Sequence, residues 1–411
     1  MVISTIICEF DPLHNGHKYI LDCMRESGAE CIVACMSGNF TQRGSPAYFD
    51  KHSRAEAALN CGADLVTELP VTFACAGAER FAFGGVSILN ALGCADSIFF
   101  GSECGSTELL RKAALALEGD AVKGRIREKL VTGVTFAAAR EQAVREICGD
   151  EAADALRRPN DILGIEYLKA LSLLKSSITP HTVKRLGALH DSAEADGGFA
   201  SASRLRELAL EGASIQEYVP AGAFEVFGRS LAGAQPDRMK ALERVMLYRL
   251  RMMTLSDMAV LPEIGEGLEN RLYSAVRSGI SVSEILASVK TKRYTMARLR
   301  RILTYALLGI TASDMLPSPP YIRVLGFNGT GRLALSEIKK RSSLPIITKV
   351  SELSKLNDAC RRAFDLESRC DDIYAISGEA VRPCGTNQTG QLISPGGKLP
   401  RPISLPVQHI L

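Results

Sequence analysis

Ile3-Ser-Thr-Ile-Ile-Cys-Glu-Phe-Asp-Pro-Leu-His14-Asn-Gly-His17, near the start of this 411-residue chain, is the segment from which the other elements can be placed. It begins with an apolar run typical of a buried parallel strand and breaks at Asp11-Pro12. It then reaches a His-x-Gly-His motif where a helix is expected to begin at Lys18. A helix N-terminus carries about half a positive charge and several unpaired N–H groups, so it attracts phosphate. The segment predicts a nucleotide-triphosphate site in which His14 and His17 face one anion, as donors or as cations. The alternative is a pair of surface histidines in a polar turn.

Apolar runs and helical patterns alternate through the first hundred residues. The runs predict strands, and the patterns between them predict helices. A fifth strand is expected near residues 178–187. Near-continuous apolar strands separated by helices indicate an α/β fold with a Rossmann-like, doubly wound parallel sheet, whose ligand lies beyond the carboxyl ends of the strands. The predicted strands are Ile3–Cys8, Cys31–Met36, Asp64–Leu69 and Asp96–Phe100, and the predicted helices are Lys18–Ser27, Lys51–Cys61 and Glu79–Leu92.

Polar or glycine-rich segments follow the other strands too. The second strand leads into Gly38-Asn-Phe-Thr-Gln-Arg-Gly44, the third into Glu68-Leu-Pro70 and the fourth into Gly101-Ser-Glu103. Because the carboxyl ends of parallel strands meet at one edge of a sheet, these segments are expected to line one crevice. We expect the Gly38–Gly44 loop to be functional, although such loops are also common turn chemistry. Glu68 and Glu103 fit a ligand-binding role and a helix-capping role equally well.

Two later helix starts are candidate ligand sites. Asn160-Asp161 follows a helical insert at about residues 105–158, and its side chains either cap the next helix or contact an adenine or ribose edge. Ser201-Ala-Ser203-Arg-Leu-Arg206 places arginines in a first helical turn, against the usual charge preference. A local rule is often broken where an anion is held, so this start predicts phosphate binding, with plain N-capping as the alternative.

The second half of the chain is expected to be mainly helical. Strands are expected to stop near residue 208, and residues 323–332 are expected to form a glycine-rich basic turn before a short helix. The predicted helices are Asp237–Leu255, Ile264–Ser278 and Ser283–Leu308. The last has a basic face with Tyr294 interleaved, which suits an RNA backbone. The cations expected to contact RNA are Lys290, Lys292, Arg293, Arg298, Arg300 and Arg301.

Charge is distributed unevenly along the chain. The net charge is +3, but residues 1–100 hold six Lys/Arg against eleven Asp/Glu, whereas residues 281–341 hold eleven against three. This asymmetry suggests a catalytic domain over residues 1–207 and a mainly helical, polyanion-binding domain over residues 208–411 that ends in a tail.

The cysteines and the apolar segments indicate the cellular compartment in which the protein is expected to lie. The twelve cysteines form no Cys-x-x-Cys pair, so they are interpreted as reduced thiols in a cytoplasmic protein. There is no basic segment before the first apolar run and no run of eighteen apolar residues, so neither a signal peptide nor a membrane span is expected. No obligate protein partner is predicted.

Six segments, taken together, resemble the bacterial tRNA(Met) cytidine acetate ligases, and the resemblance runs in order from residue 1 to about residue 345. It implies a His-x-Gly-His nucleotidyltransferase-like fold. It also implies that ATP and acetate form acetyl-adenylate, whose acetyl group passes to N4 of the wobble cytidine in elongator tRNA(Met). The segments are Cys8-Glu-Phe-Asp-Pro-Leu-His-Asn-Gly-His17, Gly38-Asn-Phe-Thr-Gln-Arg-Gly44, Thr67-Glu-Leu-Pro70, Phe100-Gly-Ser-Glu103, Pro159-Asn-Asp-Ile-Leu-Gly-Ile-Glu-Tyr167 and Val289-Lys-Thr-Lys-Arg-Tyr-Thr295.

The resemblance also implies the site residues. His14 and His17 are expected to be catalytic and to stabilise charge at the α-phosphate, and acetate is expected near Gly38, Asn39, Gln42 and Arg43. Mg²⁺ is expected to bridge the phosphates, with no side chains assigned to it. The residues expected to bind ATP are Ile7, Cys8, Glu9, Phe10, Asp11, Pro12, Leu13, His14, Asn15, Gly16, His17, Lys18, Tyr19, Ile20, Gly101, Asn160, Arg185, Leu186, Ser201, Ser203 and Arg206.

Two other functions compete with this one. A small-molecule adenylyltransferase or acyl-adenylate ligase of the pantothenate synthetase type would keep the fold, but it would not need the basic helical half. A non-catalytic RNA-binding protein with a relic nucleotide pocket would not need the intact His14 and His17.

Overall fold

The computed structural model describes residues 1–185, 198–231, 237–378 and 381–385. Leu186 and the expected tail beyond residue 385 lie outside this range. The strands are β1 (Ile3–Cys8), β2 (Cys31–Ser37), β3 (Leu65–Leu69), β4 (Ser97–Ser102), β5 (Thr179–Lys184), β6 (Ile322–Phe327) and β7 (Ile346–Ile347). The helices are α1 (Asn15–Glu26), α2 (Lys51–Asn60), α3 (Val71–Ala74), α4 (Ala78–Ala91), α5 (Thr107–Glu118), α6 (Asp120–Val131), α7 (Phe136–Cys148), α8 (Asp150–Ala155), α9 (Pro159–Leu173), α10 (Ala202–Leu210), α11 (Ala221–Leu231), α12 (Arg238–Met252), α13 (Leu255–Ala259), α14 (Leu268–Ser278), α15 (Val282–Val289), α16 (Met296–Leu308), α17 (Gly329–Arg341) and α18 (Asp358–Ile376).

The strands form one sheet in the order β5-β4-β1-β2-β3-β6-β7. The chain moves outward from β1 through β2 to β3, then returns to β4 and β5 on the other side of β1, and these five strands are parallel. The reversal between β1 and β4 is the switch point of a doubly wound sheet, where such folds bind their ligands. The predicted α/β fold class is therefore confirmed.

Helices cover both faces of the sheet. Ile3, Ile7 and Val33 share a core with residues of α4 and α9, while the alternate positions Ile6 and Ile32 face a second core with residues of α1 and α2. The central strands β1, β2 and β3 are therefore buried along their whole length, whereas the edge strand β5 is largely exposed. The insert predicted at about residues 105–158 is helical, as α5 to α8. Within the described residues, no helix is long and apolar enough to cross a membrane.

The chain returns to the sheet beyond residue 208, so the prediction that strands stop there is wrong. β6 pairs antiparallel with β3, and β7 pairs with β6. The basic turn expected at residues 323–332 is a strand through Phe327, followed by α17. Arg323 concealed this strand from the sequence pattern, because its charge is buried beside the Glu68 carboxylate, with Nε 3.2 Å from Oε2. The domain boundary at residue 207 stays a prediction.

The prediction of one long helix over Ser283–Leu308 is also wrong, since two helices occupy that segment. α15 ends at Val289, and α16 begins after Thr295, whose hydroxyl caps it by accepting from the Arg298 N–H at 3.2 Å. The apolar pattern continues across the link because Tyr294 is buried in the same core as Val289 and Leu299. Lys290, Lys292 and Arg293 therefore lie on a link and not on a helix face.

Candidate active site

The connection from β1 to α1 places both histidines at the start of the helix. Nδ1 of His14 accepts a hydrogen bond from the Gly16 N–H at 3.1 Å, and Nδ1 of His17 accepts one from the His14 N–H at 3.3 Å. This reciprocal capping starts α1 at Asn15, three residues before the predicted Lys18. A Cβ on Gly16 would lie 3.0 Å from Cε1 of His14, so glycine here makes room for the imidazole ring.

The two imidazoles are stacked, neutral donors. Their ring centroids are 3.8 Å apart. Burial, assisted by Arg185 and Arg206, lowers the pKa of His14 to about 3. Burial and His14 hold the pKa of His17 well below its usual value. Because each Nδ1 accepts a hydrogen bond, each neutral ring carries its proton on Nε2. Of the two chemistries that the sequence left open, the geometry favours donation from Nε2 over a cationic role.

An open cleft of about 490 Å³ lies beside these rings, at the switch point of the sheet. Gly101 of β4 lies next to this lining, since a Cβ on it would be 3.4 Å from Ile20 and 3.6 Å from Arg185. Two imidazoles, two cationic side chains and the aromatic rings of Tyr19 and Phe199 are groups that suit a nucleotide. The lining residues are His14, Gly16, His17, Tyr19, Ile20, Val183, Lys184, Arg185, Phe199 and Ala200.

The start of α10 reaches the histidine segment from the other side. Ser201 caps α10, because its hydroxyl accepts from the Arg204 N–H at 3.2 Å. Arg206 donates to the Asp11 carbonyl at 2.6 Å, and its Nη2 lies 3.4 Å from the Ser203 hydroxyl. The N-cap alternative therefore holds for Ser201, and phosphate binding by this segment stays a prediction.

Asn160 and Asp161 join the start of α9 to the end of β4. The Glu103 carboxylate accepts from the backbone N–H of Asp161 at 3.0 Å and from the Asn160 side chain at 2.7 Å. Asp161 in turn accepts from the Ser102 hydroxyl at 2.6 Å. Glu103 is thus the cap of α9, one of the two roles that the sequence left open for it. The Asn160 contact to ATP stays a prediction.

The Gly38–Gly44 loop meets the histidine segment at Glu9 and is not part of the cleft wall. The Gln42 N–H donates to the Glu9 carboxylate at 2.7 Å. The Asn39 side chain is buried, donates to Asp371 at 2.8 Å and accepts from the Lys51 N–H at 2.8 Å. Asn39 is therefore engaged within the protein, whereas Gln42 and Arg43 are partly exposed. Acetate binding here stays a prediction.

A group of buried charged side chains underlies this loop, and sequence reasoning missed it. We call it the buried charge cluster, and its members are Lys51, Glu68, Arg323, Glu367 and Asp371. The Lys51 ammonium lies 2.7 Å from Glu68 and 2.5 Å from Asp371. Burial opposes the charge on Lys51, but Asp371 and Glu68 raise its pKa. Burial, with Glu68 nearby, raises the pKa of Glu367 to about 8. The cluster unites residues up to 320 positions apart, so no local pattern announces it.

Arg54 is a second residue that the sequence did not single out. Its fully buried guanidinium donates to four carbonyl oxygens, those of Glu9, Ser37, Gly38 and Phe49. These oxygens belong to the ends of β1 and β2 and to the following loops. Arg54 therefore holds the two site segments together, a role that only its position on α2 reveals.

The cations expected to contact RNA divide into two groups. Lys292, Arg293 and Arg300 are exposed, as is Lys290, whose ammonium also donates to the Tyr294 carbonyl at 2.8 Å. Arg298 and Arg301 are engaged instead with the segment before α14. Arg298 donates to the Glu263 carbonyl at 2.7 Å, and Arg301, only 7% exposed, forms a two-point ion pair with the Glu263 carboxylate at 2.8 and 2.7 Å.

The fold and the capped histidine pair define a HIGH nucleotidyl transferase, and the model of the HIGH Nucleotidyl Transferase family matches residues 1–388. Among curated relatives, the tRNA(Met) cytidine acetate ligase of Caldanaerobacter subterraneus subsp. tengcongensis is 42% identical over 382 residues, which cover 90% of this chain and 94% of the relative. That of Acetivibrio thermocellus is 38% identical and covers 96% of this chain and 100% of the relative.

Two crystal structures of Thermotoga maritima TmcAL superpose closely. The apo form gives a TM-score of 0.90 at 33% identity, covering 96% of this chain and 99% of that one. The form bound with alpha-thio ATP gives 0.87 at 32% identity, covering 96% and 100%. The chain belongs to the tRNA(Met) cytidine acetate ligase family, which makes it an ATP-dependent ligase, and the resemblance seen in the sequence motifs is confirmed.

Proposed function

We propose that this chain activates acetate with ATP at the cleft beside His14 and His17 and transfers the acetyl group to N4 of the wobble cytidine of elongator tRNA(Met). The observation that carries the proposal is the pair of neutral, mutually capped imidazoles at the switch point of the sheet, with Arg185 on the cleft wall. Similarity to relatives with this activity supports it.

The first step needs positioning and charge stabilisation more than a strong base. An acetate oxygen attacks the α-phosphorus, a new P–O bond forms, the bond to the β-phosphate oxygen breaks, and pyrophosphate leaves. Negative charge on the α-phosphoryl oxygens is stabilised by Nε2–H donation from His14 and His17. The positive charge of Arg185 stabilises the leaving pyrophosphate. Arg206, which donates to the Asp11 carbonyl, adds to this positive charge.

The second step uses the tRNA as the nucleophile. The N4 amine of cytosine attacks the acetyl carbonyl, the mixed anhydride bond breaks, and AMP leaves while the amine loses a proton. The target base must leave its stack to reach the cleft, as in other enzymes that modify bases. Exposed Lys292, Arg293 and Arg300 offer a phosphate-binding surface for the tRNA.

Mg²⁺ would be held by the phosphates and by water, and not by a protein cage. Within the described residues, the acidic group able to hold an ion is Glu68, Glu367 and Asp371. These side chains are buried, and the Lys51 ammonium already contacts Glu68 and Asp371, so they do not fit the role. Such a Mg²⁺ ion would supply further charge neutralisation at the triphosphate.

Acetate-dependent exchange of labelled pyrophosphate into ATP tests the proposal. We expect exchange with acetate in the absence of tRNA, and N4-acetylcytidine in tRNA(Met) when tRNA is added. Pantoate and other short acids serve as the comparison, because the small-molecule alternative predicts exchange with one of them and no product in tRNA. Absence of exchange with every acid would exclude an acid-activating enzyme.

A further inference from the structure

Helix α16, which the sequence assigned to RNA binding, contacts the Gly38–Gly44 loop directly. The Thr304 hydroxyl, 1% exposed, donates to the Gly44 carbonyl at 2.9 Å. Arg301 donates from Nη1 to the Gln42 carbonyl at 3.3 Å. Two side chains three positions apart on one helix thus bond the part of the loop that carries Gln42 and Arg43.

The backbones of loop and helix also touch. Gly44 has a φ of +75°, and a Cβ on it would lie 2.4 Å from the Arg301 backbone nitrogen. Both the conformation and the space require glycine at this position. The loop therefore lies against α16 with no side chain between them.

Arg301 is itself held in place from the far side. Its guanidinium pairs with both oxygens of the Glu263 carboxylate. Four positions further along α16, Tyr305 donates to the Cys75 carbonyl. Because Arg301 is buried and paired, its contact with Gln42 is a fixed feature of the helix, and we leave Arg301 out of the RNA surface.

The other side of the loop is joined to the nucleotide site. The Gln42 N–H donates to Glu9, five residues before His14, so Gln42 is bonded through its nitrogen to the histidine segment and through its oxygen to α16. A shift of α16 would therefore move Gln42 relative to the site. Placement errors of about 1 Å are sufficient to reduce catalysis strongly.

We propose that Thr304 and Arg301 are positioning residues for the Gly38–Gly44 loop, so that the helical half of the chain shapes the acetate site as well as contacting tRNA. The proposal rests on the proposed function, in particular on acetate binding at Gln42 and Arg43. Neither positioning residue needs to touch acetate, because both act through backbone carbonyl groups of the loop.

A matched pair of variants tests this role in the full-length protein. Thr304→Val keeps the shape and removes the hydroxyl, and Thr304→Ser restores the hydroxyl. We expect Thr304→Val to raise the KM for acetate about 3- to 10-fold, as loss of one hydrogen bond predicts, and to leave the KM for ATP within about twofold. Thr304→Ser should return the KM for acetate to within about twofold of the wild-type value. Pyrophosphate exchange measures both constants.

A control separates positioning from stability. Thr5→Val removes a buried hydroxyl-to-carbonyl bond of the same kind, between Thr5 in the middle of β1 and Ser97 at 2.7 Å. It should lower the melting temperature as Thr304→Val does, with no change in the KM for acetate. Equal effects of the two variants on that KM would overturn the positioning role.

A third variant distinguishes this inference from the proposed function. Gln42→Ala should raise the KM for acetate if acetate binds at the loop. If Gln42→Ala raises the KM for acetate and Thr304→Val does not, the positioning role is wrong and the proposed acetate site is retained. If Gln42→Ala has no effect, acetate binds elsewhere and the positioning role falls with the loop site. If the wild-type enzyme shows no exchange with acetate, the proposed function itself is wrong.

Discussion

We assign two separable tasks to His17, and a pair of substitutions tests them. Its Nδ1 accepts the His14 N–H at 3.3 Å and so helps to start α1, while its Nε2–H is directed to the phosphates in our mechanism. Asparagine places an acceptor oxygen close to the Nδ1 position but has nothing at the Nε2 position. Glutamine reaches the Nε2 position with an amide donor but offers no acceptor to the helix start. His17→Asn therefore removes the donor, and His17→Gln removes the cap.

The two losses differ in kind and in size. Removing one preorganised donor from a developing charge typically costs about 10²- to 10³-fold in kcat, or about 2.7–4 kcal/mol of transition-state stabilisation. Losing a helix N-cap acceptor costs about 0.5–2 kcal/mol of folding free energy. We expect His17→Asn to fold normally and lose exchange by that factor. We expect His17→Gln to lose stability and to retain more of the exchange rate.

Acetate-dependent pyrophosphate exchange at saturating ATP and acetate measures the first effect, and thermal unfolding measures the second. His181→Asn is a suitable control, since His181 is stacked on Phe99 at 4.7 Å and is not part of the cleft lining. Exchange by His17→Asn at more than about a tenth of the wild-type rate would refute donation by His17, because the lost donor predicts at least about a hundredfold decrease.

Three further predictions concern stability and tRNA binding. First, His14 has a pKa of about 3 in the folded protein, so below the ordinary histidine pKa the unfolded chain binds a proton that the folded chain does not. The free energy of unfolding should therefore fall with falling pH more steeply in the wild type than in His14→Asn, by about 1.4 kcal/mol per pH unit. Denaturation between pH 6 and 4 measures the two slopes. Equal slopes would contradict this. Second, Lys51→Met leaves buried carboxylates without their cation and should cost about 3–5 kcal/mol in urea unfolding, and a loss below about 1 kcal/mol would disprove the role of this ammonium. Third, Arg293→Glu with Arg300→Glu should weaken tRNA binding and flatten its salt dependence, whereas exposed Arg127→Glu on the insert should not; equal effects would place the RNA surface elsewhere.

The sequence predicted those parts of the fold and site that are set locally. The predicted bounds of the first strand match those of β1 at both ends. The histidine segment can be recognised from the sequence because strand, turn and helix start are consecutive. The buried charge cluster could not be predicted, because Lys51 on α2 and Asp371 on α18 meet only after the sheet has formed. Arg54 looks like any helical arginine until its four carbonyl partners are known. Long-range partners, and not weak local signals, account for both omissions.

The uneven charge of the sequence has a different meaning once its partners are located. The cation excess of residues 281–341 suggested an RNA-binding surface, yet Arg323 pairs with Glu68 and Arg301 pairs with Glu263, and both acids lie outside that segment. A local count of charges treats such cations as exposed, although their partners arrive from elsewhere in the chain. Arg300 and Arg301 show the distinction at adjacent positions, since Arg300 is exposed and Arg301 is buried. Because phosphate binding requires solvent-accessible cations, the RNA surface that we propose is smaller than the sequence implied, and Arg301 of α16 instead pairs with Glu263 and contacts the Gly38–Gly44 loop.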